Sequence, residues 1–506
     1  MEEGFAIEID AAQGTIISFI LYILLILTIG VLSTRFSSRG ISHYFIGGRQ
    51  MGRLVVAMSS VVSARSAWLI LGFTGMAYAQ GMNVMWAAVG YIIVEFLLFF
   101  YYAGRIRRFT EKYDCITMPD FYAARFPAAR GTLRVVIVAI IAIFMVSYVS
   151  AQLVAGSKAF SACFGLGGDA SLLLTAAVVL IYVILGGFLA VSLIDTIQGF
   201  VIITALIVVP VIGIIDIGGL GNFFTLLREF EGEGMATGQF IDPFALSAGA
   251  MIGFLGIGLG PPGNPHVISR YMSIKDPNSF KWVALMGTVA NVLMASGALF
   301  VGLVGRLYYP DISMLPAEDP ENLYPMLAWE NLTPVLFGLV IASIFAAIVS
   351  TADSQLLVGA SAVVRDVYEK LIMKGKTVPQ PRLVLLSRTV VFLLVVIALL
   401  MGWLAGELIF WLVLFAWAGL GASFGPTTIL SLYWKRTTHK GVIAGILTGA
   451  ATVILWNLFL SEVMYELVPA FALATLVTVI VSLCTSPPEK SDEMLETMKP
   501  ETRKGK

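Results

Sequence analysis

The chain has 506 residues, 58% of them apolar, a mean hydropathy of +0.89 and a formal net charge of zero. A water-soluble domain of this size cannot bury so much hydrocarbon, so the composition describes an integral membrane protein. Zero net charge gives no bulk attraction to nucleic acid, and three scattered cysteines (Cys115, Cys163, Cys484) supply neither a disulfide framework nor a zinc site.

The first residues, Met1-Glu2-Glu3-Gly4-Phe5, are acidic. A secretory leader starts basic and ends in a small-residue cleavage site, so the first apolar run is read as a retained helix. Hydropathy predicts an all-α membrane protein with 13 spans: 14–33, 54–79, 84–104, 133–159, 170–189, 193–216, 244–262, 282–305, 334–364, 384–403, 406–433, 441–460 and 467–485. An odd number of spans puts the termini on opposite sides. With the N-terminus outside, the cytoplasmic segments hold all of the 32 Lys and Arg except Arg65, Lys158, Arg228 and Arg306. The outer loops then carry Glu229, Glu231, Glu233, Glu318, Asp319 and Glu321, so the positive-inside rule places the C-terminus in the cytoplasm. The expectation is one domain over 1–490 in the plasma (inner) membrane, a disordered polar tail over 491–506, and a monomer surrounded by lipid.

Two spans break the helical pattern. The second contains Ser59-Ser60-Val61-Val62-Ser63-Ala64-Arg65-Ser66, and the seventh runs through Gly256-Ile257-Gly258-Leu259-Gly260-Pro261-Pro262-Gly263-Asn264-Pro265. Glycine and proline at that density cannot stay in a regular helix. The two segments lie five spans apart, which suits inverted repeats over about 50–217 and 243–434. Interrupted helices at matching repeat positions point to a transporter's binding site. The alternative for either segment alone is close packing and a kink. Gly258-x-Gly260-x-x-Gly263 follows no strand, so it is not a dinucleotide fingerprint.

The ninth span holds an unusual cluster. At helical spacing Ala347, Ser350, Thr351 and Ser354 share a face, with Asp353 beside them. Hydroxyl, carboxylate and carbonyl oxygens suit a hard cation. Membrane Ser and Thr often bond back to their own helix instead, but an ionisable group at membrane depth costs at least ~2.5 kcal/mol. Glu95, mid-span in the third helix, is read as a buried partner for another polar group. Lys158, Arg306 and Glu407 lie near helix ends where they can snorkel. No P-loop, His/Cys metal cluster or nucleophile–base pair is present, so enzymatic activity is not expected.

Several motifs together resemble the sodium/solute symporter family, most closely its sodium/proline branch. They are Gly47-Gly48-Arg49, Ser66-Ala67-Trp68-Leu69, Gly186-Gly187-Phe188-Leu189-Ala190-Val191-Ser192 followed by Asp195-Thr196, Pro265-His266 followed by Arg270-Tyr271-Met272, and Ser350-Thr351 followed by Gln355-Leu356-Leu357-Val358. The resemblance covers nearly the whole chain and implies a LeuT-type fold and sodium-driven uptake. It implies a sodium site from the carbonyls of Val62, Arg65 and Ala347 and the hydroxyls of Ser350 and Thr351. Some members have a second sodium site, which here matches Asp195, Ser350, Asp353 and Ser354.

Two departures bear on the solute. Arg65 stands where members often have an apolar residue. It either holds a substrate carboxylate in a bidentate fork or forms an internal ion pair with Asp353, Asp195 or Glu95. Proline carriers place aromatics where this chain has Ile257 and Pro261, although Tyr148 matches one of their aromatics. Candidate solute contacts are Arg65, Trp68, Tyr148, Ile257, Pro261 and Asn264. The expected function is sodium-coupled import of a small organic solute, an amino acid such as proline or another carboxylate, by alternating access. Proton coupling through Asp195 and Asp353, or a non-transporting nutrient sensor of the same fold, are the alternatives.

Overall fold

Long apolar runs must satisfy their backbone within helices when lipid offers no partner. In the computed structural model the regular elements are helices, and one isolated β-bridge joins Met51 and Ile274. The described residues are 13–37, 39–230, 232, 234–374, 376–404 and 409–500. Glu231, Glu233, Glu407 and the end of the tail (501–506) lie outside them.

Nine helices among the described residues are long and apolar enough to cross a membrane. One of them, Arg53–Lys112, has 60 residues. As a single rod it would measure about 90 Å, three times a ~30 Å hydrocarbon core. It breaks at Gly81, where φ is +81°, and so contains both the second and third expected spans. Gly168–Asp216 is broken in the same way at Gly187 (φ 60°, ψ −173°) into the fifth and sixth. The shorter apolar helices Ala248–Gly263 and Leu467–Leu483 supply the seventh and the last. All 13 expected segments therefore fall on helices.

The two broken spans differ in how they break. The second runs as a helix over Arg53–Ala67 but has Ser66 at φ 55°, ψ −171°. That region is essentially reserved for glycine and costs of order 1–3 kcal/mol. Local hydrogen bonds hold it: the Trp68 N–H donates to Ser66 Oγ at 3.1 Å, and the Ala67 N–H to Gln152 Oε1 at 3.1 Å. The seventh span ends its first helix at Gly256, passes through two short 3-10 turns and an extended Asn264 (φ −87°, ψ 111°), and resumes over Pro265–Ser273. Proline at the first helical position is preorganised for that restart. This corrects one expectation. Hydropathy ends the seventh span at residue 262 and makes 263–281 a cytoplasmic segment, yet 265–273 is the buried second half of the span. The Gly/Pro run sits in the middle of the span and imitates its end.

Glycines let these pieces approach closely. A Cβ on Gly258 would lie 2.3 Å from the Gly90 carbonyl, and one on Gly260 would lie 1.8 Å from Trp417 Nε1. At their other ends the two broken spans are tied together, since the Met51 N–H donates to the Ser273 carbonyl at 3.1 Å and the Lys275 N–H to the Met51 carbonyl at 2.9 Å. The ninth span, Pro334–Ser361, is central: 83% of its most apolar stretch is buried, against 28% for the first span. It packs against the first, second, fourth and fifth–sixth spans.

The tail also departs from expectation. Ser491–Glu496 is a helix, and Met498 is buried. Fully buried Arg125 donates to Ser491 Oγ at 2.7 Å, and Ser491 Oγ donates to the Lys435 carbonyl at 2.7 Å. The polar composition around them concealed these two anchors.

Candidate functional site

Ser350, Thr351, Asp353 and Ser354 are fully buried, and Ser350, Thr351 and Ser354 meet the second span rather than lipid. The Thr351 hydroxyl donates across the interface to the Ser63 carbonyl at 3.0 Å. The Ser63 hydroxyl lies 3.0 Å from the Ser350 carbonyl and 2.8 Å from Ser354 Oγ. Back-bonding within the helix also occurs: Ser350 donates to the Ala347 carbonyl at 3.1 Å and Ser354 to the Ser350 carbonyl at 2.6 Å. Val62 and Arg65 flank Ser63 in the last turn before the break at Ser66, where helical carbonyls begin to lose their partners. Hydroxyls and carbonyls of the two helices thus meet at one buried point.

One turn toward the Arg53 end lies a charged cluster. Asp195 Oδ2 accepts from Ser59 Oγ at 2.5 Å and from Arg270 at 3.1 Å. Arg270, on the second half of the seventh span, also donates to Ser354 Oγ, to Ser59 Oγ at 3.1 Å and to the His266 carbonyl at 2.9 Å. Asp353 Oδ1 accepts from Ser354 Oγ at 2.8 Å. Asp195 Oδ1 and Asp353 Oδ2 are buried without a hydrogen-bond partner. Asp195 is paired with the guanidinium, and each carboxyl keeps one oxygen free. The sequence offered Arg270 and Ser59 only as motif letters. A buried arginine one helical repeat beyond a broken span was the missed signal.

On the other side of the break is a narrow cavity lined by Ala64, Arg65, Trp68, Tyr148, Ile257, Val413, Leu414 and Trp417. The space it encloses, about 10 Å³, would hold about one water molecule, so its side chains must part to admit a solute. Four of the six expected solute contacts line it. Pro261 and Asn264 do not, and the Asn264 amide donates to the Gly260 carbonyl at 2.9 Å. Trp417 Nε1 donates to the Ile257 carbonyl at 3.0 Å. Arg65 is paired with Glu95, whose second oxygen accepts from Asn291 at 2.7 Å. Of the two possibilities for Arg65, the internal pair is the one the structure contains.

All the residues that line the cavity are buried, so it is closed in this conformation. Ile257 and Leu414 also line a vestibule of about 980 Å³ that opens between Gln80, Ser247 and the 461–466 loop. Phe410 stacks on Trp68 with ring centres 5.6 Å apart. Its backbone N–H is held by Glu321 at 2.8 Å, and Glu321 in turn pairs with Lys158 at 2.7 Å. Lys158 thus reaches Asp319 and Glu321 from its helix end, and Arg306 lies over the rings of Tyr78 and Phe230. The opposite face is sealed by ion pairs. Arg134 bridges Asp120 (2.5 Å) and Asp366, and Arg365 reaches Asp120 at 3.1 Å. Burial opposes ionisation of Asp120, but Arg365 and Arg134 together outweigh it and hold the carboxyl below its usual range.

Comparison with known proteins agrees with this architecture. The profile of the sodium:solute symporter family matches residues 44–449. The osmoregulated proline transporter OpuE of Bacillus subtilis (strain 168) is 35% identical over 485 residues, covering 95% of this chain and 96% of the relative. The sodium/proline symporter of Staphylococcus aureus (strain JH9) is 33% identical over 500 residues, covering 95% and 94%. In structure, a substrate-bound outward-open Na+-coupled sialic acid symporter superposes with a TM-score of 0.80 at 19% identity, covering 94% of this chain and 99% of that one. The nucleobase-cation-symport-1 transporter Mhp1 gives 0.57 at 15% identity, covering 90% and 98%. An inverted-repeat helical fold, a hydroxyl-lined junction between two helices and these matches lead to one conclusion: the chain belongs to the sodium:solute symporter family and is a secondary transporter, not an enzyme.

Proposed function

We propose that this symporter imports a small carboxylate-bearing amino acid, with proline as the first candidate, and that sodium binds between Val62, Arg65, Ala347, Ser350 and Thr351. The observation that carries the ion site is the Thr351–Ser63 hydrogen bond, which brings ninth-span oxygens against the last turn before the break. Proline is suggested by two relatives that span nearly the full chain. Asp195, Asp353 and Ser354 form a second cation position, filled by the guanidinium of Arg270 in this conformation. All these groups belong to one chain, which supports transport by a monomer. The distribution of Lys and Arg supports an outward N-terminus, so the vestibule faces outside and the Asp120–Arg134–Asp366 ion pairs close the cytoplasmic side.

In this reading sodium ties the broken second span to the ninth and orders Arg65 and Trp68, which begin the solute pocket. Each ligand then strengthens binding of the other by the same factor. The loaded protein rocks about the site to release both inside. One Na+ crossing ~100 mV releases ~2.3 kcal/mol, and a tenfold gradient adds ~1.4 kcal/mol. The total sustains roughly 500-fold accumulation of a neutral solute.

The test is uptake of labelled L-proline by proteoliposomes energised with either a sodium gradient or a pH gradient alone. Sodium-driven accumulation is expected. Equal uptake under the pH gradient would establish proton coupling, and absence of flux under both would mark a sensor.

A further inference from the structure

We infer that Glu95 sets the charge class of the transported solute: by neutralising Arg65 it restricts the pocket to cargo with no net charge. This rests on the solute pocket proposed above.

The carboxylate of Glu95 and the guanidinium of Arg65 are paired, and each side chain is 3% exposed. The guanidinium carbon lies 3.7 Å from the centre of the Tyr91 ring, and Asn291 holds the other oxygen of Glu95 at 2.7 Å. Both oxygens of Glu95 are therefore occupied and the pair is held rigidly. Arg65 still forms part of the pocket wall, and its Nε is buried without a hydrogen-bond partner; so is Trp68 Nε1. Both free polar atoms are donors, so the pocket calls for acceptor oxygens, as a carboxylate supplies.

Charge decides which carboxylates fit. Arg65 is the one ionic side chain among the lining residues, and Glu95 cancels it from behind. His266, whose ring is 6.1 Å from that of Tyr148, is not part of the wall. On the ion side, Arg270 is paired with Asp195 at 3.1 Å and is neutralised in the same way. No positive charge is left over for an anionic cargo, and an unpaired charge in a buried site is strongly disfavoured. An amino acid zwitterion brings its own counter-ion. Its carboxylate takes the free donors, and its ammonium faces Trp68, Tyr148 and Trp417, whose rings attract cations. A monocarboxylate without the ammonium, or an amine without the carboxylate, has no such balance.

Three five-membered-ring probes isolate the charge: L-proline (net zero), cyclopentanecarboxylate (minus one) and pyrrolidine (plus one). Each is measured by sodium-dependent thermal stabilisation of the purified protein and by competition with uptake. The wild type should respond to L-proline at concentrations at least tenfold below either charged probe. Glu95→Gln should move the preference at least tenfold toward cyclopentanecarboxylate, and Glu95→Asp should restore the wild-type order. The inference is overturned if cyclopentanecarboxylate matches L-proline on the wild type, or if Glu95→Gln, stabilised by sodium like the wild type, keeps the wild-type order. Should Glu95→Gln not fold, the wild-type order alone decides. A wild type that prefers another zwitterion, such as alanine, over L-proline defeats proline as the cargo and leaves the charge rule standing.

Discussion

Replacing Thr351 by Val keeps the shape of the side chain and deletes one hydroxyl. In the folded protein that hydroxyl is fully buried and donates to the Ser63 carbonyl at 3.0 Å. Two effects follow and can be measured separately. Without sodium, the Ser63 carbonyl loses its tertiary partner, which destabilises the fold by about 1–3 kcal/mol. With sodium, the ion loses one of its oxygens. An interaction of a polar group with a full charge contributes about 1.5–3 kcal/mol, so the half-saturating sodium concentration should rise about 10- to 150-fold. Thr351→Ser keeps the oxygen and should restore the sodium dependence. The assays are initial uptake rate against sodium concentration in proteoliposomes, and melting temperature in sodium against choline. A Thr351→Val protein that folds and shows wild-type half-saturation would refute the placement of sodium between the second and ninth spans.

Further outcomes can be checked on the same preparation. Arg270→Gln leaves Asp195 and Asp353 facing each other with no internal cation, so melting of this variant should depend far more on sodium than that of the wild type; an equal sodium response would remove the second cation position from consideration. Gly260→Ala would drive a methyl to 1.8 Å from Trp417 Nε1, and displacing that indole costs about 1–3 kcal/mol or more, read as a lower melting temperature and a raised KM, whereas an unchanged protein would mean the indole yields freely. Burial pushes the Glu466 carboxyl in the vestibule up to about 7, above its ordinary value of 4.5, although Asn457 hydrogen-bonds to it. The folded protein then holds this proton more tightly than the unfolded chain. The associated stability is full below about pH 4.5 and is lost as pH rises through about 7. Glu466→Gln should abolish that decline, and parallel melting curves for wild type and variant across this range would contradict it.

The fold was largely legible in the sequence because lipid imposes a one-dimensional rule. Apolar runs of about twenty residues become helices wherever they occur, and the asymmetry of Lys and Arg gives their alternation. The break at Ser66 and the interruption at 256–264 were visible for a related reason, since serine-, glycine- and proline-rich runs inside apolar spans declare backbone that cannot stay helical. The oxygen cluster at Ser350 and Thr351 was visible as hydroxyls beside a carboxylate at membrane depth, but its junction with the second span was implied only by the resemblance to the symporter family.

Pairings between distant residues were decided by tertiary structure alone. Glu95 was recognisable as a buried group in want of a partner, and Arg65 as a cation with three possible ones. Only the packing of the third span against the second selects that pair, 30 positions apart. Arg270 lies 75 positions from Asp195 and 84 from Ser354, and no local pattern encodes either contact. The docking of Arg125 on Ser491, 366 positions away, begins a short helix, Ser491–Glu496, where a disordered tail was expected. Hydropathy and helical period are properties of neighbours along the chain, so composition and order suffice to determine them. Which charge neutralises which depends on where thirteen helices come to rest against one another, and that is set by the sum of their contacts.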